Sequence, residues 1–409
     1  MALAELTAPP ILIRPTAPIQ QPQHAQSMKA IPALVLLSAG LALAAPDNAS
    51  RYLSLQQEMH QAIARGNAWL KSQQKPTGNW DDEGLPAFTA LALTAAARDP
   101  NLDRKAALPP HLDKGYAWLL AQQKDDGGIY NRGLSVYNTA TALTAIVAAG
   151  RPSYDAAAVK ARKHLINNQW DLGEKGKTDN LNDGGIGYGS KKDHTDLSNT
   201  YLAIEALALS KKIVDDGKFG SQPDLDWGAA ITFISRCQNL EETNDQEKAS
   251  NDPKNKGGFT YSPTESKGGE DKLPNDHTAL RSCGSMSYAG LLSFIYAKVS
   301  ADDPRVLAVK EWLGKNYSVD ENPGMGPEGL YYYYQTMAKA LTAANLNTLK
   351  LANGTEVDWR NDLGKKLLSR QRENGSWVND DGRFMESNAV LVTAYTVLAL
   401  EQLDASIPK

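Results

Sequence analysis

The chain has 409 residues, 42% hydrophobic and 22% charged, the balance of a folded globular protein. Its 43 basic and 47 acidic residues leave a net charge of -4, and a mildly acidic chain with scattered lysines is a poor nucleic-acid binder. No Gly-rich phosphate loop follows a strand-like run, which removes the common nucleotide-binding folds.

Residues 1–27 are rich in Pro, Gln and Ala without periodicity, and read as an extension outside any domain. Met28-Lys29 then precedes an apolar run from Ile31 to Leu43, which ends in the small-residue pattern Ala42-Leu43-Ala44. That order predicts a signal peptide over 28–45, starting at Met28, with export to the periplasm or the exterior. The alternative is an internal apolar stretch. The run is short for a bilayer span, so the mature chain is expected to carry no transmembrane helix.

From residue 55 to 403 one pattern recurs six times: a helix ending near Gln, a Gly-rich turn, then a second apolar helix. The first copy runs from Ala68-Trp69-Leu70 to Gln74, Gly78-Asn79-Trp80 and Thr89-Ala90-Leu91. The others turn at Gly127-Gly128, Gly184-Gly185, Gly257-Gly258, Gly324-Met325-Gly326 and Gly375-Ser376-Trp377. A two-helix unit cannot bury its apolar faces alone, whereas stacked units can. The second helices are rich in Ala and Leu nearly all round and should be inner; the first carry Lys, Arg, Glu and Gln on one face and should be outer. The sixth copy is as well formed as the second, with no polar end cap. The spacing therefore predicts an all-α protein, one α/α toroid of six helical hairpins. Polar insertions at 171–182, 241–282 and 346–357 should form loops at the rims. Cys237 and Cys283 flank the second of these; an exported chain permits a disulfide there, and two buried free thiols fit as well.

Trp69, Gln74, Gly78 and Trp80, with Gln371, Gly375 and Trp377, make the chain resemble the prenyltransferase and squalene-cyclase repeat superfamily. The resemblance implies an α/α toroid and a cavity for isoprenoid substrates. The catalytic signatures of that superfamily are missing: no Asp-x-Asp-Asp tetrad, no Asp-x-Cys pair for zinc, and Cys283-Gly284-Ser285-Met286 in place of a thioester motif. No metal and no cofactor is therefore expected.

In such a toroid the inner-helix N-termini ring one mouth, where free N–H groups and dipoles suit a polar group. The candidate ligand-binding residues there are Asn138, Tyr288, Tyr331, Tyr334 and Asn388, with the block Tyr331 to Tyr334 placing at least one ring in the cavity. Asp193, His194 and Asp196 form the candidate acid/base group, either Asp as proton donor with His194 tuning it; helix capping explains the same residues equally simply. The acidic pairs after Trp80 and Trp377 would meet across the closed seam, as a calcium site or as solvated loop acids. The expected function is an exported toroid that binds or cyclises an apolar, isoprenoid-type small molecule, a cyclase or isomerase if it is an enzyme. The alternatives are a non-catalytic binding protein and a polysaccharide-active lyase or hydrolase.

Overall fold

The computed structural model describes residues 48–170, 180–189, 194–274 and 277–407. Helices dominate. One set comprises α1 (Asn48–Ser72), α3 (Pro110–Leu120), α5 (Asp155–Asn167), α8 (Trp227–Arg236), α10 (Pro304–Lys315) and α12 (Trp359–Ser369). Alternating with these are α2 (Pro86–Arg98), α4 (Ser135–Ala149), α6 (Leu197–Leu209), α9 (Gly284–Tyr296), α11 (Leu330–Ala343) and α13 (Ala389–Ser406). A short α7 (Lys211–Asp215) follows α6. Two small antiparallel hairpins, β1 (Glu270–Lys272) with β2 (Thr278–Leu280) and β3 (Leu349–Lys350) with β4 (Glu356–Val357), lie in the second and third insertions. Much of the first insertion lies outside the described residues, as does residues 1–47 with the proposed leader.

The second set is buried nearly all round: every residue of α9 from Gly284 to Phe294 is buried, as its Ala, Leu and aromatic content requires. These helices pack in series, α2 on α4, α4 on α6, α6 on α9, α9 on α11 and α11 on α13. α13 packs in turn on α2, so the series closes into an inner ring. The first set lies outside, α3 against α2, α5 against α4, α10 against α9, and α1 against both α12 and α13.

The recurring Gln and Gly have one physical role, repeated five times. Gln74 Nε2 donates to Gly78 O of its own turn (2.8 Å) and to His111 O at the start of the next outer helix (2.8 Å). Gln123 does the same to Gly127 O (3.0 Å) and Ala157 O (2.9 Å), and Gln169 to Gly184 O (3.1 Å) and Asp226 O (2.9 Å). Gln238 bridges Gly257 O and Arg305 O, and Gln371 bridges Gly375 O and Ala62 O. One amide thus ties a hairpin to the next at five joints, and the last of these bonds closes the ring onto α1. The turn glycines need their missing side chain twice over. Gly184 has φ 79° and Gly257 φ 89°, and a Cβ on either would sit 2.1 and 2.3 Å from the Ala229 and Ala308 carbonyl oxygens. In the same five turns an inner-helix hydroxyl accepts from the backbone two residues beyond the glycine, as in Thr89 to Trp80 N and Ser287 to Phe259 N (both 3.0 Å).

The fifth turn departs from this scheme. No Gln precedes Gly324; Asn316 Nδ2 donates instead to Trp312 O within its own helix end (2.9 Å). Cys237 and Cys283 are free thiols, both buried, and burial raises Cys283 to about 11 and Cys237 well above the usual thiol range. Such thiols are unreactive at neutral pH. Among the described residues no helix is long and apolar enough to cross a membrane.

Candidate functional site

The first turns of the six inner helices enclose a cavity of about 460 Å³. That size lies within the ordinary range of small-molecule sites. Ala87 and Phe88 face it from α2 with Leu85 just before that helix, Tyr137 from α4 with Leu134 just before it, and Ser198 and Asn199 from α6. Ser285 and Met286 of α9, Tyr332 of α11, and Leu391 and Tyr395 of α13 complete the ring. Tyr188, His194, Tyr261, Lys267, Asn322, Phe384 and Glu386 reach it from the loops.

Five of the six helix ends that surround it are already capped, α4 being the exception. Asn138 Oδ1 accepts from Ala87 N at the start of α2 (2.9 Å). Asp196 accepts from Asn199 N and Asn199 Nδ2 (both 2.8 Å) at α6. Asn322 Oδ1 accepts from Ser285 N at α9 (3.0 Å), and Asn388 Oδ1 from Val390 N (2.9 Å) and Leu391 N (3.2 Å) at α13. Glu386 serves α11: its carboxylate accepts from Tyr331 N (3.0 Å), Tyr332 N (2.8 Å) and Asn379 Nδ2 (2.8 Å). Burial raises the Glu386 carboxyl, and these bonds oppose the shift. The N–H groups expected to be free at this mouth are therefore largely occupied by side chains of the protein itself.

The bottom of the cavity is a layer of hydroxyls that crosses the ring. Tyr137 and Tyr395 hydroxyls meet at 3.3 Å, Ser198 Oγ and Tyr332 OH at 3.2 Å, and the Tyr332 and Tyr395 rings lie 6.1 Å apart. Two helical turns further in, about 10 Å, Lys339 Nζ of α11 lies 2.9 Å from Glu205 Oε2 of α6, and Tyr201 OH donates to the same oxygen (3.1 Å). Both charges are buried and paired, as low-dielectric surroundings require.

His194 lines the cavity, stacks on Tyr261 with centroids 5.9 Å apart, and places Nε2 3.8 Å from Asp196 Oδ2. Asp196 is fully buried behind it, and desolvation raises its carboxyl against the bonds from Asn199. Asp193 lies outside the described residues. Asn138 and Asn388 are caps, as above; Asn388 Nδ2 also donates to Asp81 across the seam between first and last hairpins. Asp82 on that rim pairs with Arg132, and among the described residues no group of three or more His, Cys, Asp or Glu is placed to hold a metal ion. Tyr288 is buried beside Tyr333, 5.7 Å away. Tyr331 meets Tyr334 edge-on at 5.6 Å, and Tyr334 OH donates to Val319 O in the loop after α10 (2.7 Å). Of the four consecutive tyrosines, Tyr332 is the one that enters the cavity. Tyr188, Tyr261, Lys267 and Asn322 went unrecognised because they sit in loops with no periodicity; only the position of Tyr261, just after Gly257-Gly258-Phe259, marked it as near an inner-helix end.

By sequence the chain matches no protein-family model and no curated protein. Solved structures match its fold. The type II terpene cyclase MstE from Scytonema is 13% identical over 86% of this chain and 99% of its own, with a TM-score of 0.50. An α-1,6-mannanase of a Salegentibacter species is 10% identical over 85% of this chain and 99% of its own, with a TM-score of 0.53. A glycoside hydrolase family 76 mannosidase from Bacteroides thetaiotaomicron is 12% identical over 85% and 98%, at 0.51. These identities speak for fold alone. The chain is an α/α toroid, as similar to glycan hydrolases as to a cyclase, and the likeness does not single out one superfamily.

Proposed function

We propose that the central cavity binds an apolar, isoprenoid-type small molecule, in a ring built from six helical hairpins of the prenyltransferase and squalene-cyclase kind. The observation that carries this is the cavity wall: Leu85, Phe88, Leu134, Met286 and Leu391 surround the space, and tyrosine rings form its floor. Burying an isoprenoid chain against such a wall contributes about 25 cal/mol per Å² of apolar surface. A glycan would leave without partners the hydroxyls that face this apolar part of the wall, at a cost for each. The terpene cyclase of similar fold has been solved with geranylgeranyl dihydroxybenzoate, which is consistent with this reading.

Titration calorimetry with geranylgeraniol and with α-1,6-mannotriose separates the alternatives. The isoprenoid alcohol should bind saturably and the trisaccharide should not, and Leu391→Asp should abolish binding by placing a charge in the wall. The opposite preference would establish the glycan reading. Were the bound chain also cyclised, the proton would come from Asp196 or Asp193 with His194 tuning it, and Asp196→Asn would end product formation from a squalene-like substrate without unfolding the protein. Export belongs to the same proposal: N-terminal sequencing of the mature protein should begin at or near Ala45.

A further inference from the structure

The cavity wall is not uniform around the ring. On the contiguous arc α13–α2–α4 the wall is apolar above the Tyr137 and Tyr395 hydroxyls of the floor, with Leu391, Leu85, Ala87, Phe88 and Leu134. On the facing arc α6–α9 and the loops before those helices polar groups predominate, His194, Ser198, Tyr261, Lys267 and Ser285, with Met286 the apolar member. Among the described residues that line the cavity, Lys267 supplies the one ammonium or guanidinium. It stands in the polar insertion between α8 and α9, ahead of the β1–β2 hairpin.

Several contacts hold that ammonium at the edge of the cavity. Its Nζ rests 4.2 Å from the centroid of Tyr261, and Glu265 takes one of its hydrogen bonds. His194 stacks on the same Tyr261 ring. An ammonium has three N–H donors, so Glu265 and the ring face leave it donor capacity toward the cavity. Glu265 is the ion-pair partner of Lys267, and the other carboxylates near the space are committed elsewhere. Glu386 is turned onto the first N–H groups of α11, and Asp196 is buried on Asn199. Five of the six inner-helix N-termini are capped as well, and the uncapped start of α4 brings no charged side chain, so the one cationic donor an acidic ligand group would find is Lys267.

We propose that the ligand is an amphiphile with a single carboxylate head, and that Lys267 is the residue that binds this head while the chain lies along the α13–α2–α4 arc. This rests on the cavity reading above and adds the chemistry of the head and its orientation. A charge-assisted bond at a half-desolvated site discriminates acid from alcohol by about tenfold or more.

The test compares geranylgeranoic acid with geranylgeraniol on the intact protein and on Lys267→Met and Lys267→Arg, with circular dichroism confirming the fold of each variant. The acid should bind about tenfold more tightly than the alcohol to the native protein. Lys267→Met should erase that difference by weakening the acid alone, and Lys267→Arg should retain most of it. Equal affinities in the native protein, or a preference that survives in Lys267→Met, would overturn the head-group assignment and leave the cavity reading standing. Failure of both compounds to bind would overturn both.

Discussion

Two sets of residues at the N-terminal ends of the inner helices are built on opposite plans. At the hairpin turns, five copies of one arrangement recur: a Gln that bridges two carbonyls, a glycine with positive φ against the next outer helix, and an inner-helix hydroxyl holding the backbone. At the cavity, the inner helices begin differently, five of the six capped by Asn138, Asp196, Asn322, Glu386 or Asn388 and α4 by no side chain, each presenting a different side chain to the space. Repetition carries the architecture, and the residues that do not repeat carry the site. The fifth hairpin shows the exchange in one place: it lacks the bridging Gln, and its loop supplies Asn322 and Met325 to the cavity.

That contrast can be broken most sharply at a turn glycine. Gly257→Ala and Gly184→Ala each force a side chain into a left-handed conformation and onto a backbone oxygen, and each should lower unfolding free energy by about 3 kcal/mol in urea titrations. Gly217→Ala is the control, with φ 75° and open space around its Cβ; about 1 kcal/mol is expected there. If both classes cost the same, close packing of the turn is not what the glycines provide. Next in size is the seam. Gln371→Leu strands the carbonyls of Gly375 and Ala62 and should cost about 2 kcal/mol, with Gln123→Leu at an ordinary joint costing the same.

Glu401 sharpens the comparison at the far end of α13, where it interrupts an otherwise apolar face. Burial raises its carboxyl well above 4.5, so the folded protein holds a proton that the unfolded chain releases. Its contribution is therefore most favourable below about pH 4.5 and is lost as pH rises toward the folded-state value. Glu401→Gln should stabilise the protein at pH 7 by about 1 kcal/mol and flatten the decline of melting temperature with rising pH above 4.5. An unchanged pH profile would mean that this carboxyl is ionised in the fold. The smallest effect is expected at the cavity itself. Tyr332→Phe and Ser198→Ala each remove one hydrogen bond and should cost under about 1 kcal/mol of stability, while changing isoprenoid affinity.

The same division explains what could be read from the sequence. Ala- and Leu-rich helices with glycine punctuation announce a helical ring because burial and turn geometry act locally and recur. Cavity residues follow no period. Asp196 and His194 were visible as a polar cluster beside a helix start, yet their neighbour Tyr261 comes from the next hairpin, and Lys267 from an insertion whose path no local rule specifies. The block of tyrosines from 331 to 334 marked a helix start, but choosing Tyr332 over Tyr331 and Tyr334 needs the rotation of α11, which is set by the bonds of Tyr333 and Tyr334 to Ser318 and Val319. Only the Asp193–Asp196 cluster reads as a cap in the sequence; Asn138 and Asn388 read as ligand groups and are caps instead, Asn138 serving α2 from its place on α4.

The bond from Gln371 to Ala62, joined by those of Gln56 and His60 to Asp404, has a consequence for how this protein is made. A ring cannot be completed from one end. As the chain emerges from the ribosome, the early hairpins can stack on one another, but the face of α1 that receives α12 and α13 stays bare until the last turn has left the exit tunnel. Closing so long a loop is entropically slow, and the waiting edge is an apolar surface open to aggregation. Refolding should therefore show a late, slow phase that Gln371→Leu makes slower still, and a permuted chain that starts at α3 and ends with α2 should move the vulnerable edge without changing the finished ring.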